Sequence, residues 1–188
     1  MVLRWAIAMA GALALALLTL DVPLPWVSLS QAGDQASSEA PTPAAVCDPA
    51  GKTANLNFTL KDTNNKNVNL AAYKGKVIVL DFWATWCGPC KVEIPGFVHL
   101  QTKYGPQGLQ TIGISVDDKL DRLKPYVTEY KMNYPVLQGL DHDDVQDAFG
   151  PIMGIPTTVV IGRDGKICRK HPGITGRDVF EREIKALL

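Results

Sequence analysis

The chain has 188 residues, 46% of them hydrophobic and 20% charged, and its 19 Lys and Arg balance its 19 Asp and Glu. That composition suits one globular domain with a proper core plus appendages, and it implies no basic face for nucleic acid.

At the N-terminus, Arg4 precedes an apolar run from Trp5 to Leu20 whose only polar residue is Thr19. This is the pattern of a signal-peptide core, and it is short for a membrane span of about 20 residues. Ser30-Gln31-Ala32 has the small-x-small form of a cleavage site, yet it lies far beyond Leu20, and Val22 to Leu29 could extend the apolar stretch past Asp21. Residues 1–32 therefore read as a signal peptide or an N-terminal membrane anchor. Residues 33–54, rich in Ala, Ser, Pro, Asp and Gln without periodicity, read as a flexible linker. Cys47 within it lacks the Leu-led pattern of a lipoprotein box.

Residues 55–188 form the folded domain. Phe58 and Leu60, then Val68 and Leu70, alternate with polar residues around Asn64-Asn65, which predicts an opening β-hairpin. Val77 to Trp83 is a nearly continuous apolar run and predicts a strand covered on both faces. Asp81 interrupts it. A lone buried carboxylate is costly unless paired or protonated, so this acid is expected to keep its proton to unusually high pH.

The strand runs into Trp86-Cys87-Gly88-Pro89-Cys90, and a helix is predicted from Gly88 to Tyr104. A helix N-terminus supplies unpaired N–H groups and partial positive charge, which favour a thiolate at Cys87. Its pKa should fall from about 8.5 into the range of roughly 3.5 to 7.5 known for such sites. Cys90 lies one helical turn further on, where the two sulfurs can meet and cycle between dithiol and disulfide. Pro89 suits a first turn that needs no N–H. A zinc knuckle would require a second ligand pair, and only Cys47, Cys168 and the isolated His99, His142 and His171 remain, so neither a metal nor a cofactor is expected. Pro95 should kink the helix. Glu93 is near enough to tune the thiols, although a helix glutamate is more often a solvated side chain.

The run FWATWCGPCKVEIP, Phe82 to Pro95, resembles the active-site segment of the thioredoxin superfamily. Its tail, C-K-x-E-x-P, is similar to the exported TlpA/ResA-like (redoxin, AhpC-TSA-like) thiol-disulfide oxidoreductases, and the similarity extends from about Leu56 to the C-terminus. The resemblance implies a thioredoxin-like α/β fold: a central mixed β-sheet flanked by helices, with an N-terminal β-hairpin and a central βα insert. It also matches Asp81 to the buried aspartate that in thioredoxins relays a proton to and from the second cysteine. Many TlpA/ResA-like sequences have an uncharged residue there.

Further along, Leu109 to Val116 alternates and ends in Asp117-Asp118, predicting a strand that leads into a helix cap. Leu120, Leu123, Val127 and Tyr130 would form the inward face of the next helix, bent near Pro125. Tyr134 to Leu137 reads as a short strand and Asp143 to Phe149 as a short helix, material that resembles the insert of TlpA/ResA-like and peroxiredoxin-like proteins. Met153-Gly154-Ile155-Pro156 then leads into the apolar Val159-Val160-Ile161, a demanding place for a residue that cannot donate to a ladder. Ile155-Pro156 matches the superfamily's cis-proline, which implies that the ring shields the disulfide, keeping metals off, while the backbone before it pairs with an extended substrate. Trp86, Ile155, Gly88 and Pro89 are the candidate substrate-binding residues. Asp164-Gly165 centres a hairpin turn, Ile167 to Lys170 returns as the last strand, and Gly176 to Leu188 closes as an amphipathic helix with Val179, Phe180, Ile184 and Leu187 inward.

The resemblance implies a reducing thiol-disulfide oxidoreductase outside the cytoplasm, periplasmic or on the outer face of the cytoplasmic membrane. It would be a monomer that touches the membrane only through its N-terminal segment. Cys87 would be the nucleophile and Cys90 the resolving thiol, with Asp81 and Pro156 completing the catalytic set. The Gly-Pro pair and Asp81 resemble thioredoxin, whose potential is about -270 mV, rather than oxidising relatives near -120 mV. Recharging such an enzyme implies a membrane reductant of the DsbD/CcdA type, and the implied substrates are protein disulfides such as apocytochrome c or the copper-site cysteines of an oxidase. In an oxidising compartment Cys47 and Cys168 either pair as a structural disulfide or stay as a dangling and a buried thiol. A peroxiredoxin-like peroxidase would want Pro and Thr or Ser where Leu80 and Ala84 stand. A Sco-like copper chaperone would want three residues between its cysteines and a distant His, for which His171, read as a surface residue, is available.

Overall fold

The computed structural model of the chain describes residues 42, 46–48 and 50–188; the signal peptide or anchor assigned to residues 1–32, and most of the linker, lie outside them. Among the described residues no helix is long and apolar enough to cross a membrane.

The opening hairpin pairs β1 (Thr59–Lys61) with β2 (Asn67–Asn69), Leu60 opposite Val68. Asp62 makes the turn by accepting hydrogen bonds at Oδ1 from the backbone N–H groups of Asn64 and Lys66. Next come β3 (Val77–Trp83), α1 (Gly88–Tyr104) and β4 (Leu109–Ser115), followed by α2 (Leu120–Glu129), β5 (Val136–Gln138) and α3 (Asp143–Phe149). The chain ends with β6 (Thr157–Ile161), β7 (Ile167–Pro172) and α4 (Arg177–Leu187).

Five strands form a mixed sheet in the order β5-β4-β3-β6-β7. β3 is parallel to β4 and antiparallel to β6, β5 extends the parallel edge, and β7 extends the antiparallel one. Two apolar layers enclose the sheet. On one face Val77, Val79 and Trp83 pack with Ile94, Phe97 and Leu100 of α1 and with Phe180 and Ile184 of α4. On the other, Ile78, Leu80 and Phe82 pack with Leu60 of the hairpin and with Val145 and Phe149 of α3.

Burial on both faces corrects the reading of Leu109 to Val116 as alternating: all seven residues of β4 are buried, including Gln110, Thr111 and Ser115. Gln110 Nε2 donates to the Thr111 carbonyl at 3.0 Å, Ser115 Oγ to Asp118 Oδ2 at 2.7 Å and the Thr111 N–H to Gln101 Oε1 at 2.7 Å, while Thr111 Oγ1 has no hydrogen-bond partner among the described residues. Gly113 lies opposite Asp81. A Cβ there would come within 3.0 Å of Trp83 Nε1, so the glycine is where the Trp83 ring crosses the neighbouring strand.

A second correction concerns Asp117-Asp118. The residue before α2 is Lys119, which makes no side-chain cap bond, and both aspartates are drawn to the loop after β3 instead. The strand expected from Tyr134 begins at Val136, and β7 continues to Pro172. Cys47 and Cys168 are joined in a disulfide that fastens the end of the linker to the start of β7.

Candidate active site at the β3–α1 junction

The apolar run of β3 ends at Trp83, and the Cys87 N–H donates to the Ala84 carbonyl at 3.1 Å, closing a tight turn. Cys87 is the N-cap of α1 in extended backbone, and Pro89 sits within the first turn. The Cys90 N–H donates to Cys87 Sγ at 3.2 Å. A helix-terminal donor thus already points at the first sulfur, the arrangement that favours negative charge there. Cys87 and Cys90 form a disulfide, with Cys90 fully buried and Cys87 just breaking the surface at 4% exposure.

Asp81 lies deep in the same layer, 1% exposed, and its Oδ1 accepts from Thr158 Oγ1 at 3.4 Å. Burial holds its carboxyl well above the usual range, the nearby Glu93 carboxyl pushes it further, and the Thr158 bond opposes the shift weakly. The phenol of Tyr134 is raised well above its usual value by its own burial first, with the negative charge of an ionised Asp81 adding to the shift.

Glu93, expected as a solvated helix residue, is 6% exposed. Its Oε1 accepts from the Thr175 N–H at 2.8 Å, while Oε2 has no hydrogen-bond partner among the described residues. Burial raises its pKa, with the Thr175 N–H and the neighbouring His171 pulling the other way. The cause is α4, which packs its N-terminal turn against this side of α1: Arg177 lies against Gly96, and Phe97 meets Phe180 with ring centroids 5.2 Å apart. His171, expected on the surface, is drawn in by the same helix. Its Nε2 meets Glu183 Oε2 at 2.9 Å, and its ring packs edge-on to Phe180 at 5.1 Å.

The Ile155-Pro156 peptide bond is cis, as is Gly150-Pro151. Thr157 pairs with Phe82, so the cis-proline stands at the end of the sheet from which the chain turns to Cys87. Ile155 packs against the cluster that holds both active-site cysteines. The Pro156 carbonyl accepts from the Gly173 N–H at 2.8 Å, and two residues later Thr175 is bonded to Glu93, so the loop after β7 is tied to both the proline and α1. Around this centre Trp86 is 60%, Met153 90%, Val92 69% and Ile174 58% exposed, an unusual concentration of bare apolar groups.

One set of residues escaped the sequence reading. Asp118, 2% exposed, accepts from the Thr85 N–H and from Thr85 Oγ1, both at 2.6 Å, and from Ser115 Oγ at 2.7 Å. Asp117 accepts from Trp86 Nε1 with both carboxylate oxygens at 3.0 Å. The end of β4 therefore clamps the two residues that precede Cys87. An acidic pair after a strand was visible in the sequence, but its partners lie 33 and 31 residues away.

A vicinal cysteine pair at a helix N-cap, over a buried acid and level with a cis-proline on this mixed sheet, defines a thioredoxin-like protein of the thiol-disulfide oxidoreductase class. The profile of the AhpC/TSA family matches residues 50–170, and the chain belongs to that family. The thiol-disulfide oxidoreductase ResA of Bacillus subtilis (strain 168) is 34% identical over 117 residues, which span 62% of this chain and 64% of that protein. ResA of Bacillus thuringiensis subsp. konkukian (strain 97-27) is 30% identical over 132 residues, 70% of this chain and 75% of that one. The crystal structure of a thiol:disulfide interchange protein of the thioredoxin family from Chlorobium tepidum TLS is similar with a TM-score of 0.67 at 29% identity, covering 75% of this chain and 99% of the other.

Proposed function

We propose that the protein reduces disulfides of other proteins outside the cytoplasm, with Cys87 as nucleophile and Cys90 as resolving thiol. The observation that carries this reading is the Cys90 N–H directed at Cys87 Sγ from the first turn of α1, above a buried Asp81. In the dithiol form, the Cys87 thiolate attacks one sulfur of a substrate disulfide. A bond forms between Cys87 and that sulfur, the substrate S–S bond breaks, and the departing thiolate takes up a proton. Cys90 then loses its proton to the ionised carboxylate of Asp81 and attacks Cys87 Sγ. The mixed disulfide breaks, the second substrate sulfur leaves as a thiolate, and Cys87–Cys90 is left oxidised with both electrons passed to the substrate.

The remaining roles follow the same division. The backbone at Ile155 pairs with an extended substrate and the Pro156 ring shields the disulfide, while Trp86, Gly88 and Pro89 form the surface the substrate meets. Residues 1–32 act as signal peptide or anchor, residues 33–54 as linker, and 55–188 as the catalytic domain, which works as a monomer. The compartment is the periplasm or the outer face of the cytoplasmic membrane. Substrates of the apocytochrome c or oxidase copper-site kind and a reductant of the DsbD/CcdA type fit the reducing character of a Gly-Pro dipeptide and a protonatable Asp81. A copper-chaperone role gains no support from His171, whose Nε2 is engaged by Glu183.

The test is mixed-disulfide trapping. Exported protein carrying Cys90→Ser should accumulate partners bound through Cys87, released by reductant and identifiable by mass spectrometry. Absence of any adduct on Cys87, alongside normal reduction by the natural protein, would contradict the assignment.

A further inference from the structure

Beside the disulfide, between the Trp86 loop and the start of α2, runs a surface groove of about 470 Å³ walled by Trp86, Pro125 and Tyr126 and bordered by Lys91, Asp121 and Arg122. It continues into a neighbouring hollow of about 370 Å³ that shares Trp86, Asp121 and Arg122 and adds Asp117, Asp118 and Lys119. Trp86 immediately precedes Cys87 and Lys91 immediately follows Cys90, so the groove borders the sulfur to which a substrate chain would bond.

The two signs of charge here are differently occupied. Asp118 is buried under three donors and Asp117 is held by the Trp86 indole, while the exposed Asp121 at the rim has only the adjacent Arg122 N–H on its Oδ1, at 3.0 Å. By contrast, neither Lys91 nor Arg122 has a carboxylate within ion-pair distance among the described residues. Lys91 Nζ instead lies 5.4 Å from the centre of the Tyr126 ring, which keeps it at the groove's aromatic wall. What the groove offers a ligand is two cations without an ion-pair partner among the described residues, Lys91 against the Tyr126 ring and Arg122, with Asp121 at the rim.

We infer that this groove is a specificity subsite that takes the segment flanking a substrate's reactive cysteine, favouring an acidic side chain set against Lys91 and Arg122. An apolar or aromatic neighbour in that segment lies on Trp86 and Tyr126. The inference rests on the thiol-disulfide exchange proposed above.

It is tested with three synthetic peptides, each closed by one intramolecular disulfide and differing only in three residues beside the attacked cysteine: all Glu, all Gln or all Lys. Reduced full-length protein is mixed with each, and second-order rates are measured in single turnover. The order Glu, Gln, Lys is expected, with the Glu peptide about three- to tenfold faster than the Lys peptide at low salt, the size exposed charge pairs give. The ratio should shrink as salt screens the charges. A Lys91→Glu, Arg122→Glu double variant reverses the order, whereas Lys124→Glu, a single charge reversal at an exposed position of α2 outside the groove, keeps it. Equal rates, a faster Lys peptide, or an order unchanged in the double variant overturns the subsite while leaving the exchange chemistry standing. Failure of the natural protein to reduce any of the three contradicts the exchange reading itself.

Discussion

Asp81 shows how much one carboxyl can do when it is taken out of water. Burial first, and the Glu93 carboxyl beside it, raise its pKa well above the ordinary carboxylate range, so its ionised form is an unusually strong carboxylate base for the Cys90 thiol. Asp81→Asn should therefore slow release of the mixed disulfide by about 100-fold, the lower range of general-base effects, and leave the attack by Cys87 unchanged. Stopped-flow separation of the two steps checks this, and equal release rates would count against the relay. The same group bears on stability. Its folded pKa is raised, so the unfolded chain gives up this proton first, and stability falls as pH rises from the ordinary carboxylate range through the raised value. Asp81→Asn should thus need more urea to unfold than the natural protein at neutral pH, and the two midpoints should converge near pH 4.

At the scale of elements, the decisive contact is between the end of β4 and the loop after β3. Asp118 gathers two donors from Thr85 and one from Ser115, so the turn that places Cys87 at the N-cap is fixed by a neighbouring strand. Asp118→Ala would strand these buried donors at a cost of about 2 to 4 kcal/mol. For a chain of this size that is a fall in Tm of roughly 5 to 15 °C. Thermal unfolding of the oxidised protein measures it, and a loss under about 1 kcal/mol would mean water replaces the clamp. Such a contact could not be seen in the sequence, because Asp-Asp before a helix has a ready local use as a cap. β3, α1 and α3 were legible to the residue because each is set by local signals: a seven-residue apolar run, a proline in the first helical turn, an acidic start before an apolar periodicity. The burial of Glu93 and His171 was hidden for the opposite reason. Both depend on where α4 docks, and nothing near either residue records that.

For the whole molecule, the sheet has two working ends. Thr157 and the cis-proline stand at the end from which β3 turns to Cys87, while Cys168 lies at the other end of β7, bonded to Cys47. That bond closes a loop of 121 residues, for which chain-entropy estimates allow up to about 5 kcal/mol. Replacing Cys47 and Cys168 by Ser should lower the urea midpoint of unfolding without changing the rate at which Cys87 is alkylated. A lowered midpoint accompanied by a slowed Cys87 would show that the two disulfides are coupled. Everything proposed for the other end depends on Cys87 being the thiolate and Cys90 the protected partner. The most direct measurement is iodoacetamide labelling of the reduced protein across pH, with the modified cysteine located by mass spectrometry. Cys87 should label first and be half-reactive well below pH 8.5, the value for an unperturbed thiol, with Cys90 labelled only much later. Prior labelling of Cys90, or a Cys87 that reacts only above that pH, would contradict the assignment.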